Sequence, residues 1–213
     1  MQSRERWTTW TGLAAVLLWI ASVVVVNSGG VPAENASEAD YLAYVESDAT
    51  TIMVGGWIFM AGCAAFLWFA VVLRERLAAA EGGSRTFSTV AFVGSVLVGA
   101  LMMLTPCGEV TAAIIAEEQE ISASAVAALR HLGEAFLSAA TIAATLLMIG
   151  SAVVALRTGL FPRGWAWFSL ALAVALVIGP IGWAALLLGL PIWVIGTTVF
   201  LRRRPELAVP SAA

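Results

Sequence analysis

The chain has 213 residues, of which 61% are hydrophobic and 12% charged, with a mean hydropathy of +0.92 and a formal net charge of −3. Soluble domains run at about 45–50% apolar and about 25% charged, so a soluble enzyme, a disordered tail and a nucleic-acid binder are excluded. All eleven basic side chains are arginines, which removes any mechanism that needs a lysine, Schiff-base chemistry included.

Crossing a hydrocarbon layer takes about 20 apolar residues. Residues 7–26 form the first such run, and 51–73 the second, with no charge inside it. Residues 87–116 form a third that carries Glu109. Residues 125–156 form a fourth that carries Arg130, His131 and Glu134. From Trp165 to Leu201, 37 residues carry no charge. One helix of that length would measure roughly 55 Å, too long for a bilayer core. Gly179-Pro180-Ile181-Gly182 punctuates a turn, so this run divides into spans 165–179 and 182–201. The expected fold is all-α: a polytopic membrane helical bundle of six transmembrane helices, forming a single membrane domain over 1–213.

Orientation follows from the arginines. Arg4, Arg6, Arg74, Arg76, Arg85, Arg157, Arg163, Arg202, Arg203 and Arg204 all fall on one side of this arrangement. By the positive-inside rule that side is the cytoplasm, and both termini lie there. The opposite segments carry acids only: Glu34, Glu38, Asp40, Glu46 and Asp48 in one, Glu117, Glu118 and Glu120 in the other. Trp7, Trp10, Trp165 and Trp167 mark the inner boundary, where indoles anchor. The first run is read as a retained span, because its apolar stretch is long for a signal peptide and its cleavage signature is weak.

Residues 27–50 form an external loop. Within it Tyr41, Leu42 and Val45 have helical spacing, which predicts a short amphipathic helix lying near the outer surface; a solvated acidic loop is the other reading. Asn35-Ala36-Ser37 matches a glycosylation sequon, but the lysine-free, alanine-rich composition points to a high-GC bacterium. The expected location is the bacterial plasma membrane, with the lipid bilayer as partner and no nucleic acid.

Ionised groups inside a span cost roughly 2.5–3.5 kcal/mol each on insertion scales, so they are functional candidates. Glu109, Arg130, His131 and Glu134 all fall in the outer half of this scheme. At about 100° per residue, Arg130, His131 and Glu134 share one arc with Ser138, Thr141 and Thr145. Glu109, Thr105, Met102 and Ser95 share a face of the preceding span. Packing the two faces together would place Arg130 between Glu109 and Glu134 and leave one negative charge over. A proton on His131 or on a carboxyl, or a bound cation, would neutralise it. The expectation is a proton- or ligand-responsive site facing outward. Pro106, which frees a backbone carbonyl beside the cluster, resembles the broken helices that line transporter cavities.

Other signals are weaker. Cys63 and Cys107 lack the Cys-x-x-Cys spacing of oxidoreductases and read as small buried hydrophobes. Met53, Gly56, Met60 and Cys63 form a stripe. With Met102, Met103 and His131 it would supply a soft copper site or a haem ligand set, although methionine more often fills core gaps. His131-x-x-Glu134 lacks the second histidine of a zincin, and hydrolase, phosphate-loop and dinucleotide motifs are missing. No catalytic residue and no cofactor is therefore assigned; metal stays open. Gly182, Gly189 and Gly196 recur every seven residues, a smooth face suited to packing within the bundle or between copies.

His131-Leu132-Gly133, Gly150 and the stretch Arg157-Thr-Gly-Leu-Phe-Pro-Arg163-Gly-Trp165 resemble the bacterial domain-of-unknown-function family 4386, six-span membrane proteins well represented in actinobacteria. The resemblance covers most of the chain and implies membrane location and six helices, with no activity attached. Arg130 and Glu134, which flank the histidine, are departures from the shared pattern. Three function classes follow. The first is a small sensing, ligand-binding or transport-like protein working through Glu109, Arg130, His131 and Glu134. The second is a membrane-embedded metal or haem redox protein, and the third a structural or interaction subunit, with homo-oligomers or a membrane complex as its setting. An enzyme is the less favoured class.

Overall fold

The computed structural model describes residues 10–33 and 35–203. Arg4, Arg6, Trp7, Glu34, Arg204 and both termini lie outside the described residues. Those described form helices joined by short turns, with no strand among them.

Helix α1 (Thr11–Ser28) is apolar throughout and ends where Asn27 Nδ2 and Ser28 Oγ donate back to the carbonyls of Val23 and Val25. Helix α2 (Glu38–Glu81) opens on a reciprocal cap. Ser37 Oγ accepts the Asp40 N–H, while the Asp40 carboxylate accepts the Ser37 N–H at 2.9 Å. Its 44 residues would reach about 66 Å, and Asp48, at φ −120°, ψ 21°, bends the chain where the polar and apolar parts meet. Gly82, at φ +61°, ends it.

Helix α3 (Thr86–Leu104) and α4 (Cys107–Glu118) are two pieces of one predicted span. Proline has no N–H to continue the ladder, so the chain turns at Thr105–Pro106. Helix α5 (Ala123–Thr158) runs unbroken for 36 residues, from the Ser122 cap to Gly159 at φ +69°. Helix α6 (Arg163–Leu176), α7 (Gly179–Ala184), a π-helical turn (Ala185–Gly189) and α8 (Leu190–Arg203) complete the described chain.

Among the described residues five helical segments are long and apolar enough to cross a membrane: Thr11–Ser28, Glu38–Glu81, Thr86–Glu118 taken through the proline break, Ala123–Thr158 and Ile181–Arg202. Helix α6, at 14 residues, is shorter, about 21 Å against a core of about 30 Å.

The last two limbs do form an antiparallel hairpin. The faces of Gly182, Gly189 and Gly196 meet the Leu176 carbonyl, the Leu172 side chain and the Trp165 ring in turn. Trp165 and Trp193 donate their indole N–H groups across it to Thr197 and Ser169, at 3.1 and 2.7 Å. The three glycines thus serve packing inside the chain. The turn itself differs from the predicted one. It falls at Val177–Ile178, and Gly179-Pro180 begin α7 instead of ending α6, since proline suits a helix's first turn.

Segment 38–50 is helical, as the spacing of Tyr41, Leu42 and Val45 allowed, and not a solvated loop. It is the first part of α2, and it buries Tyr41, Tyr44 and Val45 on α4 and the start of α5, forming a small core with Ile52, Ala112, Ala113 and Val126. The Tyr41–Val45 face therefore covers protein. The main core lies nearer the arginine-rich end, around Cys63, Phe66 and Phe69, Val98, Leu147 and Met148, and Trp193. Leu17, Ile20, Val24, Trp57, Trp68, Trp167, Leu188 and Ile192 stand exposed around the outside. Apolar side chains both inside and outside are what a helix needs when its surroundings are lipid.

Candidate functional site

Two close backbone approaches build the site. Gly108, one residue before Glu109, lies on the carbonyl of Leu129; Gly133, one before Glu134, lies on the carbonyl of Thr105. Any side chain at either glycine would collide with backbone. The pair clamps the Thr105–Pro106 break against α5 and brings Glu109, Arg130 and Glu134 to one cavity.

That cavity has a volume of about 350 Å³ and opens between α1, α2, the α3–α4 break and α5. Glu109, Arg130 and Glu134 line it beside Asn27 and Thr105, with Val23, Ile52, Phe59, Val110 and Leu137 as apolar walls. A ligand site at the small end of the usual 300–1,000 Å³ range has this make-up.

Arg130 and Glu134 occupy each other. Arg130 Nε forms an ion pair with Glu134 Oε1 at 3.2 Å across one helical turn. The guanidinium carbon stands 3.9 Å from the centre of the Tyr41 ring, which caps its face. Glu134 Oε2 faces His131 Nδ1 at 2.8 Å. Arg130 touches only one of the two carboxylates: among the described residues no hydrogen bond or ion pair reaches the half-buried Glu109, which shares the cavity wall with Arg130 and feels its charge. His131 also stands apart. Its side chain is 71% exposed and does not line the cavity.

The two predicted polar faces meet only at this end. Below it, Ser95, Ser138, Thr141 and Thr145 donate to carbonyls of their own helices, and Met102 is buried in the main core. Ser138 and Thr141 face the hairpin instead, where the Trp183 indole donates to Ser138 Oγ at 3.1 Å. Sequence reasoning missed Asn27, Tyr44 and Phe59 as neighbours of the cluster, and it took Tyr41 for an apolar contact alone. These residues lie on helices distant in sequence, and no spacing rule links them to position 130. The Tyr44 hydroxyl is buried without a partner, and its ring joins Glu109 and Arg130 around a second space of about 10 Å³, room for one water.

The cavity's level can be counted. About 20 residues of helix match the hydrocarbon thickness. Starting from Arg74, Thr86, Arg157 and Arg202, that count reaches Val54, Pro106, Leu137 and Gly182. These positions share one level, since Gly56 meets Pro106, Gly55 meets Val26, and Trp183 bonds Ser138. The cavity straddles that level. Glu109 and Arg130 stand a turn or two beyond it, toward the acidic segments, because α2, α4 and α5 continue past the apolar stretch and pack on one another.

Among the described residues no group of three or more His, Cys, Asp or Glu is placed to hold a metal. Cys63 is sealed in the main core, and both it and Cys107 are free thiols. No protein-family model, curated protein or solved structure matches this chain.

Proposed function

We propose that this is a multi-pass protein of a bacterial plasma membrane that binds a small ligand at the outer edge of the bilayer, as the receptor part of a sensing or transport function. The observation that carries this is the 350 Å³ cavity, bounded by four helices, with Glu109 unpaired in its wall. The arginine-rich end supports the cytoplasmic side, so the cavity opens to the exterior. Within the site, the reading narrows to Glu109, Arg130 and Glu134, with His131 as an outer neighbour of Glu134. No catalytic role is assigned; the wall hydroxyls of Ser22 and Thr105 donate to the carbonyls of Gly55 and Leu101.

The test is thermal unfolding of the purified protein in mild detergent with small amines, carboxylates and alcohols of similar size. A ligand that binds only the folded state raises its melting temperature. At least one class is expected to stabilise the wild type and not Val23→Trp, whose indole would cover the cavity mouth from an exposed rim position. No stabilisation by any class would defeat the proposal.

A further inference from the structure

Building on the cavity as a ligand site, we infer that it selects a small monovalent organic cation, an amine with a short apolar body, paired with Glu109. Charge accounting is the first argument. Arg130 and Glu134 neutralise each other at 3.2 Å, and the Tyr41 ring covers the guanidinium face. Glu109, which no hydrogen bond or ion pair reaches among the described residues, is the second acid beside one arginine, so the wall carries one acid more than it has cations. A carboxylate half removed from water gains most from a ligand that brings both a positive charge and N–H donors.

Hydrogen-bonding sense is the second argument. The wall hydroxyls have spent their donors, Ser22 Oγ on Gly55 and Thr105 Oγ1 on Leu101, while Asn27 Nδ2 uses one of its two hydrogens on Val23 and Arg130 turns Nε to Glu134. Acceptors remain, namely the Asn27 carbonyl oxygen and the Glu109 carboxylate, and an ammonium group is purely a donor. On the far side of Glu109, the unpartnered Tyr44 hydroxyl, 92% buried by its 8% exposure, is a further polar group at the same carboxylate. The apolar walls, with Phe59 among them, fit a hydrophobic body.

The experiment compares three probes that share one body and differ in charge: benzylammonium, benzyl alcohol and benzoate. Binding to the purified full-length protein is measured by calorimetry and by thermal shift. Benzylammonium is expected to bind at least about tenfold more tightly than benzyl alcohol, with benzoate weakest. Glu109→Gln should cost benzylammonium about tenfold and leave benzyl alcohol within about twofold. Glu109→Asp, which keeps the charge, should retain the preference and so separates lost charge from a damaged fold. Equal binding of all three probes overturns the inference while the cavity reading stands, as does a preference for benzoate. The same holds if benzylammonium binding ignores Glu109→Gln. No binding of any probe, or binding indifferent to Val23→Trp, overturns both.

Discussion

Arg130 shows how much of a residue's role depends on partners the local sequence does not name. Glu134, four residues on, is a helix neighbour readable from spacing; Tyr41 is 89 residues away and supplies the other half of the setting, 3.9 Å from the guanidinium carbon. The planar fork is needed for both contacts, so Arg130→Lys is not conservative. It is expected to destabilise by about 1–2 kcal/mol, measured by thermal or chemical unfolding in detergent. His131→Gln is the contrasting case. A histidine 71% exposed has little packing to lose, and the change is expected to stay within about 0.5 kcal/mol. The helical wheel put His131 and Glu134 on one arc correctly. It could not tell that the edge of that arc meets solvent, because an arc fixes direction about an axis and says nothing of what the neighbouring helices cover.

At the level of elements, the turn between α2 and α3 is set by a carboxylate. Glu81 accepts the N–H groups of Phe87 at 2.9 Å and Ser88 at 2.8 Å, capping α3 from the end of the preceding helix. Burial pushes its carboxyl up, but those two N–H groups, the Ser88 hydroxyl and the nearby Arg157 together hold it below the ordinary 4.5. A carboxyl depressed in the folded state stabilises above its unfolded pKa, and the contribution is lost as pH falls through the folded value. Lowering the pH below about 4.5 should therefore reduce the melting temperature of the wild type more than that of Glu81→Gln. Parallel curves for the two proteins would refute the cap. The α4–α5 junction rests on glycine instead. Gly133→Ala would drive a methyl group into the Thr105 carbonyl. It should cost about 1–3 kcal/mol as overpacking does, and weaken any cavity ligand along with the fold. The proline break was legible, since Pro106 cannot donate. The clamp was not, because a glycine's need for space appears only when the opposing backbone is in place.

For the molecule as a whole, the apolar runs were enough to read five long apolar helices among the described residues, their order and the closing hairpin, whose first limb is shorter than a span. At the arginine-rich end the cations lie on aromatic rings, Arg74 on Phe92, Arg157 on Phe87 and Arg202 on Trp10. Depth was harder to read. Hydropathy alone extends the third and fourth spans to residues 116 and 125, because Ala112, Ala113 and Val126 are apolar. Those side chains are buried against Tyr41, Tyr44 and Val45, in a core that needs no lipid. A span's end and a small protein core have the same composition, so only the packing separates them. The distinction predicts chemistry at particular positions. In a Cys63→Ala, Cys107→Ala background, His131→Cys should react with a membrane-impermeant maleimide added to intact cells, and Arg163→Cys should react only after the membrane is opened. Placing the first turns of α5 inside the hydrocarbon predicts the opposite for position 131, because a maleimide reacts with a thiolate and a thiol in lipid stays protonated and unreached. A labelled Arg163→Cys on intact cells would reverse the sidedness, leaving the cavity open to the cytoplasm with the same walls and the same unpaired carboxylate.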